Sequence, residues 1–326
     1  MTSALRVERA GHAVVQDLGR PGHGGIGVAV NGAADQHSAQ VANLLVGNPP
    51  GAPLVEVTGS ELVVRAESDV LVAVTGAARE VVVGGARVGA WEALPLAAGS
   101  ALVVPVPDVG YRSYLAVNGA LDAPRVLGSV APDRLLDIGT RLAPGDSLVV
   151  ESRYAAPADD LGGLFRLGAA PAALRLPTRV PVTVGPELDR LVLGATSLDQ
   201  TLRLLPQSDE VGLRFEGVPV ERNHTEEILS RGVPLGAVEV VPDGSLLVLM
   251  RGRLVTAGYP VVAVVTTTGL DQLGQLRPGD EARLELVDLA DARAAVRRQA
   301  AAREVLTERV RRAFTARGLG RALAVS

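Results

Sequence analysis

All 32 basic side chains of this 326-residue sequence are arginine; lysine and cysteine are both absent. A guanidinium stays protonated and cannot form a Schiff base. Chemistry that needs an amine on a flexible stem therefore falls away: the phosphate-binding lysine of a Walker A loop, attachment of pyridoxal phosphate, and a carrier lysine for biotin. Without cysteine there is no disulfide, thiolate nucleophile or thiolate metal site. What remains for holding an anion is the planar fork of arginine, which donates two parallel hydrogen bonds to a carboxylate or phosphate. The four histidines are His12, His23, His37 and His224. They are too scattered to mark a metal site, and no metal is expected; His23, in a glycine-rich loop, is the one placed to act as acid or base. No GxSxG elbow accompanies them, which leaves little support for a serine hydrolase triad.

The stretch RPGHGGIGVAVNGAAD, residues 20–35, has the glycine density of a nucleotide-binding loop. A dinucleotide fingerprint needs its glycines between a strand and a helix N-terminus, where amides and dipole meet the pyrophosphate. Here GHGGIG is followed by the strand-like VAVNG, and the helical pattern begins only near Ala33. These glycines read as turn residues with positive φ.

The elements that must position such residues are mostly strands. ALRVER, HAVVQDL, PLVEVTG, ELVVRAE, DVLVAVTG, REVVVGG, ALVVPV and SYLAVNG follow one another between Gly, Pro and Asp, the rhythm of a barrel or sandwich. One helix is predicted near residues 33–46, with His37, Val41, Leu44 and Leu45 at helical spacing and Gly47, Asn48 and Pro49 as its stop. The first domain is thus placed at 1–155. Residues 156–178 mix Pro, Gly and Ala as a linker would, and strand-like runs resume over 179–288 with VPVTVG, SLLVLM, PVVAVVTT and EARLELVDL. A surface helix is predicted over 289–318 on the sparse stripe Leu289, Val296, Leu306, Val310 and Phe314. PGD turns at 144–146 and 278–280 each lead into an apolar strand. With 47% hydrophobic and 21% charged residues and a net charge of −4, the chain reads as globular and favours no nucleic acid. It has no run of about 18 apolar residues and no secretion leader, so no membrane span is expected and the cytoplasm is its expected location.

The run QDLGRPGHGGIGVAVNGAADQHSAQVANLLVGN (16–48) resembles the opening signature of the KipA-like family, also called allophanate hydrolase subunit 2 or the C subunit of 5-oxoprolinase, and related to the carboxyltransferase of urea carboxylase. Further blocks match in order: PLVEVTG, YRSYLAVNGALD, VLGS, VGPELD, SDEVGLRFEG, LSRGVPLGAVEVVPDG, GRLVTAGYP and LRPGD. The resemblance implies a mainly β fold of two β-barrel domains, the second cyclophilin-like. It implies a KipI-like partner of the allophanate hydrolase subunit 1 type, and for the 5-oxoprolinase system a third, LamB/YcsF-like protein. It also implies action on a small cyclic amide or ureido substrate, with ATP and magnesium shared with the partner subunit and no biotin attached to this chain. A regulatory KipI antagonist, or a carboxyltransferase component, are the alternatives.

An amide carbonyl is a poor electrophile, so such a site needs donors for the developing oxyanion and a cationic clamp. On the family's motifs the candidates for catalysis are Asp35, Arg253 and Tyr259. Those for binding substrate or ATP are Gln16, Asp17, Arg20, Asn31, Arg112, Ser208, Asp209, Arg214, Thr256 and Gly258. The bland alternative for the NGAAD pair is that Asn31 caps the helix while Asp35 steadies its first turn. For Arg112, strand alternation shares a face with Tyr114 and allows an ion pair instead. The sequence also departs from the family pattern. Asn31 and Ala34 turn SGAMD into NGAAD; Gly252 stands for an acid, Leu254 and Val255 for glutamine and threonine, Ala257 for glycine, and Glu239 where glutamine is common. Glu210 and Arg231 exchange the usual charges, which predicts an ion pair between them.

Overall fold

The computed structural model describes residues 3–119, 121–152, 154, 167–170, 178–223 and 228–323. The expected linker 156–178 lies outside the described residues except for 167–170 and Thr178, and His224 lies outside them too. By contacts the chain divides into unit 1, Met1–Gly19, Asp35–Ala173 and Gln299–Ser326, and unit 2, Arg20–Ala34 and Leu174–Arg298. A division in sequence order shows neither exchange. The glycine-rich segment is counted with the C-terminal half, and the end of the chain with the N-terminal half.

Unit 1 is built from strands β1 (Ser3–Arg9), β2 (Ala13–Gln16), β3 (Leu54–Thr58), β4 (Leu62–Ala66), β5 (Val70–Gly76), β6 (Glu80–Val83), β7 (Ala86–Gly89), β8 (Ala93–Leu96), β9 (Ala101–Val104), β10 (Arg112–Val117) and β11 (Ser147–Val150), and helix α1 (Gln36–Leu45). Its expected barrel takes the form of two sheets, a six-stranded one in the order β11-β1-β4-β9-β6-β7 and a five-stranded one in the order β2-β3-β10-β5-β8. On β1, Leu5 and Val7 are buried while Arg6 and Glu8 are exposed, as one solvated face requires. β5 is buried along its whole length because α1 packs on β5 and β10 and covers their second face. That is why VLVAVTG is apolar throughout.

The start and stop of α1 follow from side chains the sequence displays. Asp35 is its N-cap: the carboxylate accepts from the Ser38 amide at 3.0 Å and the Ser38 hydroxyl at 2.6 Å, and the Asp35 amide donates to the Tyr114 phenol oxygen at 2.8 Å. At the other end Gly47 takes φ +78°, its amide donating to Leu44 and that of Asn48 to Asn43, which satisfies two terminal carbonyls in a Schellman arrangement.

Unit 2 holds β12 (Thr178–Val184), β13 (Leu202–Leu204), β14 (Gly212–Glu216), β15 (Arg231–Gly232), β16 (Ala237–Val240), β17 (Leu246–Leu249), β18 (Thr256–Ala257), β19 (Val261–Val265), helix α2 (Thr267–Leu273) and β20 (Glu281–Leu286). Seven strands close a barrel in the order β12-β19-β16-β17-β14-β13-β20, the parallel pair β20–β12 completing the ring. Val180, Val182, Phe215, Val238, Val240 and Val248 fill it. The two PGD turns, one in each unit, are built alike: Gly145 and Gly279 both have φ +94°, and Asp146 and Asp280 each accept from the amide three residues back, at 2.8 and 3.0 Å.

Helix α3 (Leu289–Ala316) buries only Leu306, Val310 and Phe314, four residues apart. Leu289 is exposed, so the predicted stripe narrows to the half counted with unit 1. Among the described residues no helix is long and apolar enough to cross a membrane.

The cap at α1 gives a test. Asp35→Ala should lower stability by about 1–2 kcal/mol in urea unfolding, and Asp35→Ser, which can still cap, by clearly less. Equal losses for the two substitutions would show that capping is not what Asp35 contributes.

Candidate functional site

Strand alternation splits β16 in two. Val238 and Val240 point into the barrel, while Ala237 and Glu239 lie on its outer face beside Leu247, Leu249 and Val261 of β17 and β19. A β-bulge between Val238 and Glu239 in the pairing with β19 re-aims the glutamate. This outer face is not left to solvent. β15 pairs with β18, Arg231 opposite Ala257 and Gly232 opposite Thr256, and Val233 and Ala257 pack on the same apolar cluster as Ala237 and Leu249. Between this cover and the barrel wall lies a cavity of about 600 Å³, within the usual range for small-molecule sites. Its lining includes Arg222, Glu239, Leu247, Leu249, Thr256 and Tyr259.

Glu239 is 1% exposed, and its Oε1 has no hydrogen-bond partner among the described residues. Burial in these apolar surroundings pushes the carboxyl up to about 7, with Arg231 pulling the other way. Arg231 does not neutralise it, because its Nη2 donates to both oxygens of Glu187 at 2.6 Å. Glu187 is itself held by the Val261 amide at 2.8 Å. The predicted Glu210–Arg231 pair is therefore not formed: the β15–β18 pairing carries Arg231 to Glu187 instead.

Of the sequence-derived candidates, Thr256, Gly258 and Tyr259 line this cavity. Tyr259 is 40% exposed. A Cβ on Gly258 would sit 2.8 Å from the Ile228 carbonyl oxygen, so the bare backbone lets the two segments approach. Arg253 lies in the same loop but not on the cavity wall. Its Nε and Nη2 donate to the Val233 carbonyl at 3.3 and 3.2 Å, and Nη1 is buried with no partner among the described residues. Burial lowers its pKa from the ordinary arginine value.

The other candidates do not line this cavity. Asp17 accepts from the Gly19 amide, the Ser129 hydroxyl and the Val130 amide at 2.6–2.9 Å, stapling a loop of unit 1. Gln16 is buried on β2, and Asp35 is the cap of α1. Arg112 lies 3.6 Å from Glu56, with both side chains largely buried, and its guanidinium stands 5.2 Å from the Tyr111 ring. Ser208 and Asp209 accept from amides of their own turn, at Arg214, Val211 and Gly212, and the Arg214 side chain is exposed on β14. Arg20 is 2% exposed, its amide donating to Val30. Asn31 has φ +55°, with its amide on the Arg251 carbonyl at 2.9 Å; Asp35, not Asn31, caps the helix. The glycine loop forms a 3₁₀ turn over Gly24–Ile26 closed by Gly27 at φ +81°, and the His23 carbonyl accepts the Ile26 amide. Among the described residues no group of three His, Asp or Glu side chains is placed to hold a metal.

Sequence reasoning passed over Glu239 and Arg222 as site residues. The available signal was a carboxylate in the otherwise apolar strand AVEV at a position where glutamine is usual.

The folded chain keeps Glu239 protonated up to about pH 7, whereas the unfolded chain ionises it near the ordinary value of 4.5. Unfolding thus releases a proton between those values, and the contribution to stability falls as pH rises through that window. Glu239→Gln removes the loss. Relative to the parent it should gain up to about 3 kcal/mol between acid pH and pH ~8, read from urea unfolding across the range. Parallel curves for the two proteins would refute the buried-acid assignment.

The profile of the carboxyltransferase domain, subdomain A and B, matches residues 26–286. The chain is 33% identical to a protein named as the C subunit of 5-oxoprolinase from Escherichia coli (strain K12) over 297 residues, covering 88% of this chain and 93% of that protein. Crystal structures of TTHA0988 superpose with a TM-score of 0.77 at 33% identity over 86% of this chain, which spans 56% of that one. The Kluyveromyces lactis urea carboxylase gives a TM-score of 0.84 at 24% identity, covering 93% of this chain but 29% of that one, a likeness of fold. The chain belongs to the carboxyltransferase-domain family, with a protein named as the C subunit of 5-oxoprolinase among its relatives.

Proposed function

We propose that the chain is a subunit of an ATP-dependent amidohydrolase of the 5-oxoprolinase type, converting 5-oxoproline to glutamate together with a KipI-like partner and a LamB/YcsF-like third protein. The observation that carries this reading is the 33% identity extending over 93% of a protein named as the C subunit of 5-oxoprolinase. The cavity supports it, since an apolar wall with one buried acid, a phenol and a guanidinium suits a small cyclic amide. In this reading Tyr259 presents a hydrogen bond to the amide, and Arg253, in the loop beside the cavity, is assigned to an anionic group. ATP and its magnesium are held jointly with the partner. This chain brings Arg253 to a phosphate but neither a lysine nor a glycine loop at a helix N-terminus.

A second reading is favoured by Leu254, which is 57% exposed where the family has a polar residue. An apolar rim suits a protein surface, as in a KipI antagonist that sequesters its partner without chemistry. A carboxyltransferase role would need a biotin carrier on another chain, because this one has no lysine.

Co-expression with the two proposed partners should yield glutamate from 5-oxoproline only when ATP is supplied. Arg253→Ala should then lower kcat/KM about 10- to 100-fold, the loss expected for one charge-assisted contact. Tight partner binding that survives Arg253→Ala, with no turnover of any lactam or ureido substrate, would replace the enzyme reading with the regulatory one.

A further inference from the structure

The cover over the outer wall of the barrel, residues 228–233 with 253–259, is held down at few points. β15 and β18 pair through two residues each. Apart from the Arg253 amide on the neighbouring Met250 carbonyl, these segments make two hydrogen bonds to the rest of unit 2 among the described residues, both from Arg231 Nη2 to Glu187 at 2.6 Å. The Arg231 side chain is 42% exposed, so water can compete for it, whereas Glu187 is fixed on the barrel side by the Val261 amide. Val233 is the one buried residue of the cover, and Leu229 and Leu254 face solvent.

The wall beneath is of another kind. Ala237, Leu249 and Val261 are buried on paired strands, and the cavity of about 600 Å³ separates part of that wall from the cover. A segment with few buried apolar contacts and few hydrogen bonds opens at a lower free energy than the sheet it lies on. Its ends are anchored: Val233 packs on the wall, and the Pro260 carbonyl accepts the Val240 amide at 3.1 Å. Next to these anchors stand Gly232 and Gly258, and a Cβ at Gly232 would meet no atom within 4 Å.

We propose that residues 228–233 and 253–259 form a lid over the outer wall of the barrel, latched by Arg231 on Glu187, whose opening widens the cavity and admits its ligand. Thr256 and Tyr259 line the cavity from the lid side, so a ligand that touches them binds the closed form better and shifts the lid toward closure. The lid serves any small ligand of this cavity and does not depend on the 5-oxoproline reading.

Because the chain has no cysteine, a single introduced thiol reports opening by its rate of reaction with iodoacetamide in the full chain. Val261→Cys places the thiol on the wall under the lid, and Val238→Cys places it inside the barrel, where only unfolding of the barrel exposes it. The thiol at 261 should react about 100-fold faster than the one at 238, since the lid opens without the barrel. Arg231→Glu, which sets two acids against each other, should speed reaction at 261 about tenfold more and leave 238 unchanged; Arg231→Lys should stay near the parent. Hydrogen exchange of the unsubstituted chain gives a second reading that needs no cysteine. Residues 228–233 and 253–259 should exchange faster than β16, β17 and β19, and Arg231→Glu should raise exchange in the lid segments alone. Equal reaction rates at 261 and 238, the same acceleration at both sites in Arg231→Glu, no acceleration at either, or lid protection equal to that of the barrel strands would overturn the inference.

Discussion

The ion pair of Arg231 with Glu187, in which Nη2 donates to both carboxylate oxygens, fastens the cover of unit 2. A seven-stranded barrel spends one face of each strand on its core and leaves the other to be solvated or covered. Glu187, tied to the Val261 amide at the start of β19, draws Arg231 and the short β15–β18 pair onto that outer face. Two consequences follow from the one contact. The apolar outer residues of β16, β17 and β19 gain a partner surface, and the guanidinium whose charge acts on Glu239 donates its hydrogen bonds to Glu187 instead. Glu239 is therefore desolvated without being neutralised, which is the condition for a carboxyl to stay an acid near neutral pH.

Unit 1 uses polar residues differently. Asp17 collects two amides and a hydroxyl, and Asp35 collects an amide and a hydroxyl of α1. The carboxamides of Asn43, Asn48 and Asn118 donate to backbone carbonyls of Ala52, Val117 and Val46. These residues come from the QDLGR, NGAAD, VANLLVGN and AVNG blocks. Buried backbone groups at loop crossings must be paired, and short side chains with fixed geometry do it at the least entropic cost. Much of what makes the motifs recognisable is thus the wiring of the fold.

Most strands were legible because their apolar runs are bounded by Gly, Pro and Asp, and α1 because its cap residue and glycine stop bracket a periodic stretch. What was not legible has physical causes. α2 starts TTTG, residues of low helix propensity, and exists because the Thr266 hydroxyl caps the Gly269 amide and the helix packs on β12. The counting of Arg20–Ala34 with unit 2 is a tertiary fact, set by contacts such as the Asn31 amide on the Arg251 carbonyl. Glu239 was visible only as a departure from a pattern. Its importance depends on which face of a four-residue strand is covered, and the outer cover comes from residues near 231–233 and 256–257.

The departures from the family pattern also look different once side chains are placed. A Cβ on Gly252 would lie 3.0 Å from Asn31 Oδ1 and 3.0 Å from the Glu210 carbonyl oxygen. Asn31 stands where the pattern has the smaller serine, and Gly252 where it has an acid. The Asn31 carboxamide oxygen thus occupies the space that a side chain at position 252 would need. Close packing favours a bare backbone at 252, because any Cβ there would press on both the Asn31 carboxamide and the Glu210 carbonyl at 3.0 Å.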